Sequence, residues 1–115
     1  MRRYQGEDIN FNIVFEKGSD CFEIDGWSGF KEITALMYTD GCTHALFSSL
    51  PKEGYEILTA IDDVTLFGRL PNRISKILSP GKVRIELKAI MPDNSVCIKK
   101  ESTGLYLAKN LIKNN

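Results

Sequence analysis

Apolar and polar residues alternate with a period of two along most of this chain. Ile9, Phe11, Ile13 and Phe15 alternate with Asn10, Asn12 and Val14, which predicts a half-buried strand. Ile33 to Tyr38 is apolar on both faces and reads as a central strand. Asp40-Gly41 follows it and supplies a tight hairpin turn into His44–Phe47. Beyond the turn Pro51-Lys52-Glu53-Gly54, the residues Tyr55, Ile57 and Thr59 continue the rhythm as one strand. Val64, Leu66, Gly68 and Leu70 form the next, with Asp62-Asp63 between the two. The cleanest alternation sets Val83, Ile85, Leu87 and Ala89 against Lys82, Arg84, Glu86 and Lys88, so that one face is buried and the other charged. Pro92-Asp93-Asn94 turns the chain into Val96–Lys99, and Ser102-Thr103-Gly104 turns it into Leu105–Ala108. The polar tail 109–115 is expected to fray.

Two stretches break this rhythm. Residues 16–31 are rich in loop formers, with Cys21-Phe22-Glu23-Ile24 as a short edge strand among them. Trp27 and Phe30 fall in the same loop, where a large ring either plugs the end of a sandwich or waits for a partner. Trp27, Tyr38 and Tyr55 are therefore the candidate interaction residues, for protein docking or for stacking on carbohydrate. Further on, Ile74, Ile77 and Leu78 stand at i, i+3 and i+4, with Asn72 placed to cap and Ser79-Pro80-Gly81 to stop. This predicts a short helical turn near 72–78, with a strand-like crossover as the alternative. Short strands separated by frequent turns, with at most one short helix, predict an all-β fold. The expected architecture is a single immunoglobulin-like β-sandwich of about seven to nine strands over the whole chain.

Composition adds a charge asymmetry. The 115 residues carry 15 Lys/Arg and 15 Asp/Glu, so no global charge favours nucleic acid or an anionic membrane. Residues 1–63 nevertheless hold 5 basic and 12 acidic residues, and residues 64–115 hold 10 and 3, giving −7 and +7. Halves that interleave in one sandwich would mix these charges. Halves that stay apart would leave an acidic and a basic face suited to head-to-tail self-assembly. The start Met1-Arg2-Arg3 has the basic character of a signal peptide without an apolar run behind it, and no apolar stretch approaches a membrane span. Three cysteines, Cys21, Cys42 and Cys97, form no Cys-x-x-Cys pair, which fits folding in a reducing cytoplasm and leaves a disulfide between two of them open.

Candidate chemistry is sparse. His44 is the only histidine, there is no Gly-x-Ser-x-Gly elbow, and a Cys42–His44 pair lacks a pocket-forming context, so no catalytic residues are expected. Asp20, Glu23 and Asp25 cluster in a glycine-rich loop and Asp62-Asp63 forms a second acidic pair. Neither has the spacing of a calcium loop, and both read as solvated carboxylates. The glycines at 26 and 29 open no helix and so make no phosphate cradle. Lys82, Arg84 and Lys88 carry no aromatic beside them and include Glu86, so they read as a solvated strand face. The residues thus predict no enzyme, no cofactor, no metal, no nucleic acid and no membrane partner.

Three segments together resemble a known family. The opening Gly6-Glu7-Asp8-Ile9-Asn10-Phe11-Asn12-Ile13 is similar to the first strand of small β-sandwich modules in bacteriophage tails. Val64-Thr65-Leu66-Phe67-Gly68-Arg69-Leu70, then Ile74 to Leu78, then Ser79-Pro80-Gly81 leading into Lys82–Leu87 resemble the second half of such modules. The baseplate upper protein family, in its N-terminal module, is the nearest example. The resemblance implies a β-sandwich with a structural role in a virion, acting through protein partners or self-association, and supplies no catalytic residue.

Overall fold

A computed structural model describes residues 2–14, 26–41 and 44–110, and the side chains of 101–103 lie outside that description. Among the described residues nine strands form: β1 (Arg2–Tyr4), β2 (Ile9–Val14), β3 (Glu32–Tyr38), β4 (His44–Ser48), β5 (Glu56–Ile57), β6 (Thr59–Ala60), β7 (Thr65–Leu70), β8 (Gly81–Ile90) and β9 (Val96–Ala108). A 3-10 turn at Trp27–Gly29 precedes β3, and one helical turn, α1 (Asn72–Ser75), separates β7 from β8. Phe15, the expected edge strand Cys21–Ile24, the acidic trio Asp20, Glu23 and Asp25, Cys42 and the tail from 111 onward lie outside the described residues.

The strands divide into a six-stranded sheet, β1-β9-β8-β3-β4-β5, and a three-stranded sheet, β2-β7-β6. The chain is thus all-β, and its strand order matches the variable-type immunoglobulin sandwich, in which strands B, E and D face G, F, C, C′ and C″. The edge strand β1 runs parallel to β9, while β8–β9, β3–β8 and β3–β4 are antiparallel. One departure is β5, which runs parallel to β4 through Phe47↔Glu56 and Ser48↔Ile57.

Alternation within the strands builds the core between the sheets. In β8, Val83, Ile85, Leu87 and Ala89 are buried, and in β3 Ile33, Ala35 and Met37 point the same way. They pack with Ile9, Ile13, Leu66 and Leu70 of the smaller sheet in one hydrophobic cluster. Phe11 spans the layers by setting its ring edge-on to Phe47, with centroids 5.0 Å apart at 81°. That ring occupies the space where a side chain on its cross-strand partner Gly68 would stand, so Gly68 has to lack one.

Four expectations need correction. Tyr55–Thr59 is not one strand, because Leu58 is buried and the chain changes sheets there, with Glu56–Ile57 joining β4 and Thr59–Ala60 joining β7. Ser102-Thr103-Gly104 does not end a strand. It forms a bulge within the continuous β9, where the register with β8 shifts between Lys82↔Tyr106 and Arg84↔Ser102 and Gly104 adopts φ +72°. The short helical turn is present, yet Asn72 is not its cap and Ile77 is exposed. The capping carboxylate is Asp8, whose Oδ1 accepts the Asn72 N–H at 2.7 Å. Finally, Asp40-Gly41 is not a two-residue hairpin turn, since the last pair of β3 with β4 is Tyr38 with His44.

Candidate interaction surface

Of the three candidate interaction residues, Trp27 goes to the interior. It is 4% exposed, and its indole N–H donates to the carbonyls of Val64 at 2.8 Å and Ile13 at 3.2 Å. Its backbone N–H donates to Asp63 O at 2.8 Å, and its ring lies 6.0 Å from that of Phe30. Trp27 is therefore the plug of the sandwich end, and its ring offers no face to a ligand.

Tyr38 and Tyr55 both reach the outer face of the six-stranded sheet, where strand register sets the neighbours of every side chain. Outward positions on β3 are Thr34, Leu36 and Tyr38, and those on β8 are Lys82, Arg84, Glu86 and Lys88. Leu36 pairs with Leu46 on one side and Glu86 on the other, and Glu86 pairs in turn with Lys100. Thr34, Leu36, Leu46, Tyr55, Glu86, Lys88 and Ile98 line a shallow open depression of about 200 Å³. That is below the roughly 300–1,000 Å³ of sites that engulf a small ligand, so the depression suits a protruding side chain of a partner. Lys52 Nζ stands 5.1 Å from the Tyr55 ring centroid and also pairs with Glu32 at 3.1 Å, which holds this rim in place.

The face is divided along the strands. Toward the Trp27 end, Val96 is 51% and Ile98 55% exposed, next to Lys88 and the half-buried Ile90. Toward the helix end the face is cationic and aromatic. Tyr106 pairs with both Lys82 and Arg2, and the Arg2 guanidinium lies 5.4 Å from the Tyr106 ring centroid. Arg84 pairs with Tyr38, which pairs with the exposed His44. The sequence shows no aromatic beside Lys82 and Arg84, but the register brings Tyr106 and Tyr38 to them from neighbouring strands. The two halves of the charge asymmetry interleave, since β1, β2 and β3 pair with β9, β7 and β8, and a cationic cluster remains only locally, where β1, β9 and β8 are adjacent.

A second acidic cluster lies away from this face. The turn between β6 and β7 carries Asp62 and Asp63 between Ile61 and Val64, both of them exposed at 59% and 39%. Asp62 Oδ1 accepts the Val64 N–H at 2.9 Å, and this bond holds its carboxyl below the usual carboxylate range. At the β8–β9 turn, the Ser95 hydroxyl at 2.6 Å and the Ser95 N–H at 2.9 Å do the same for Asp93.

Among the described residues no group of three or more His, Cys, Asp or Glu side chains is placed to hold a metal ion, and no helix is long and apolar enough to cross a membrane. Cys97 is buried with a free thiol. No protein-family model matches the chain, and no curated protein is similar to it in sequence.

Proposed function

We propose that this chain is a non-enzymatic assembly module that docks protein partners on the outer face of its six-stranded sheet. The observation that carries this reading is the depression on the open sheet face where Leu36, Leu46, Tyr55 and the exposed Ile98 meet, with the exposed Val96 farther along β9. Isolated exposed aliphatics are ordinary, but here Ile98 on β9 and Leu36 and Leu46 on β3 and β4 flank Glu86 and Lys88 of the intervening β8 around one depression, a mixture of apolar and charged groups that suits protein docking. The variable-type strand order agrees with the β-sandwich that the resemblance to phage tail modules implies, and a structural role in such an assembly is the setting we favour. Carbohydrate stacking loses its leading ring, since Trp27 is buried.

The test is co-purification with the products of the genes flanking its own, comparing the native chain with Val96→Lys and Ile98→Lys. A stoichiometric complex lost in both variants supports the reading. A complex that persists in both overturns the outer face as the docking surface, and no complex with any of these products overturns the assembly role.

A further inference from the structure

The outer face and the β6–β7 tip are complementary in charge. The face offers Lys82, Arg84 and Lys100 beside Tyr38 and Tyr106, and none of these three cations makes an ion pair with a described residue. Glu86 lies among them on β8, and the Asp40 carboxylate stands beside Gly81 at the start of the same strand. The tip offers the reverse: two carboxylates, Asp62 and Asp63, between two exposed aliphatics, Ile61 and Val64. Neither carboxylate is engaged by a cation of the described residues. The tip is also held rigid, because Trp27 donates from its backbone to Asp63 O and from its indole to Val64 O, and Ile61 N–H donates to Thr65 O at 2.9 Å. A pre-organised knob loses little conformational entropy on docking.

The two surfaces cannot meet within one molecule. The tip lies at the Trp27 end of the smaller sheet, where β2 ends beside Thr65. Arg84, Tyr38 and Lys82 lie toward the opposite end of the larger sheet, beside the start of β8. A patch and a knob on different parts of one molecule, each complementary to the other, generate a head-to-tail contact between copies.

We propose that the Ile61–Val64 tip of one copy docks on the cation-and-tyrosine end of the outer sheet face of a second copy, giving a head-to-tail assembly. This rests on the reading of the outer face as a docking surface and names one occupant for its cationic end, which lies along the strands from Val96 and Ile98.

Sedimentation velocity of the full chain tests it with two double variants, Asp62→Lys/Asp63→Lys and Arg84→Glu/Lys100→Glu. The native chain is expected to self-associate at low salt and to dissociate as salt rises, because exposed charges are screened within about 8 Å at physiological ionic strength. Each double variant alone is expected to weaken association by about tenfold or more, since it places like charges in contact. In the variants mixed together, the native tip of one meets the native face of the other, and the two reversed surfaces again oppose unlike charges, so association lost in each variant alone is expected to return. Circular dichroism of each variant establishes that it is folded. A native chain that stays monomeric at every salt concentration overturns the proposal, as do variants that associate like the native chain or a mixture that does not pair. Any of these failures, with the complex with a flanking-gene product intact, removes the second copy as occupant and leaves the docking face standing.

Discussion

The Trp27 indole N–H donates to the Val64 carbonyl at 2.8 Å, and this bond joins the plug of the core to the exposed β6–β7 tip. The same N–H reaches Ile13 O on β2, so one buried ring fastens the end of the smaller sheet at two points. Replacing Trp27 by Phe keeps most of the apolar volume but leaves both carbonyls without this donor. The expected loss is about 2–3 kcal/mol in urea unfolding, from the cost of unsatisfied buried acceptors. Trp27→Ala adds a cavity, and its expected loss is about 3–5 kcal/mol. A Trp27→Phe chain as stable as the native one would show that the bonds are not holding the tip.

Gly68 and Phe11 form a second coupled pair. Gly68→Ala forces its new methyl group into the Phe11 ring, which packs on Phe47 and cannot swing away freely. The expected cost is about 1–3 kcal/mol, as for other overpacked cores. In a Phe11→Leu background the alanine meets a smaller, more flexible neighbour, so its cost falls. A double-mutant cycle measures the difference, and equal costs in both backgrounds would contradict the packing described here.

The helical turn separates the sequence-based reading from the observed one. If Asp8 caps α1, Asp8→Ala loses about 1 kcal/mol, within the usual 0.5–2 kcal/mol for a cap, while Asn72→Ala stays within about 0.5 kcal/mol of native. The buried Ser75 ties the same N-terminal segment to α1, since its hydroxyl donates to Glu7 O at 2.7 Å and accepts from Gly6 N at 3.0 Å. Ser75→Ala is expected to cost about 1–3 kcal/mol. The reverse order, with Asn72→Ala more damaging than Asp8→Ala, would return the capping role to Asn72.

These cases show what the alternation of side chains could and could not convey. The β8 strand was legible because Val83, Ile85, Leu87 and Ala89 face one way over the whole strand, and the central place of β3 followed from its apolar character. The split at Leu58 was not, because Tyr55, Ile57 and Thr59 keep an unbroken period of two while their backbone changes partners. Gly104 carries the signal of a turn, and the left-handed conformation that signal denotes is present, but inside a bulge. For Trp27 its size and place in a loop left plug and partner contact open, and its candidacy as an interaction residue fails because the ring is buried. The cationic end of the outer face was hidden, because Tyr38 with Arg84 and Tyr106 with Lys82 are neighbours only through register. Asp8 is hidden as a cap for the same reason, being remote in sequence from the helix it serves.

Asp62 and Asp93 give the acid side of stability a definite sign. Both carboxyls are held below their ordinary value of 3.8 in the folded chain, by the Val64 N–H for Asp62 and by the Ser95 hydroxyl for Asp93. A lowered folded value means that the unfolded chain takes up protons first. The stability these groups contribute is therefore present above about pH 4 and is lost as pH falls through their folded values. Asp62→Asn and Asp93→Asn should flatten the decline below pH 4 and leave the slope between pH 5 and 7 unchanged. Unfolding midpoints measured across this range check it, and an altered slope near neutrality would contradict the assignment.

The most direct test of the outer face as a working surface is a concentration series of amide proton–nitrogen correlation spectra at low salt. The account predicts progressive shifts at Leu36, Tyr38, Arg84 and Ile98 on the sheet face and at Ile61 to Val64 on the tip, all reversed by salt. Spectra that do not change with concentration, or shifts confined to the outer side of β2 and β7, would contradict it.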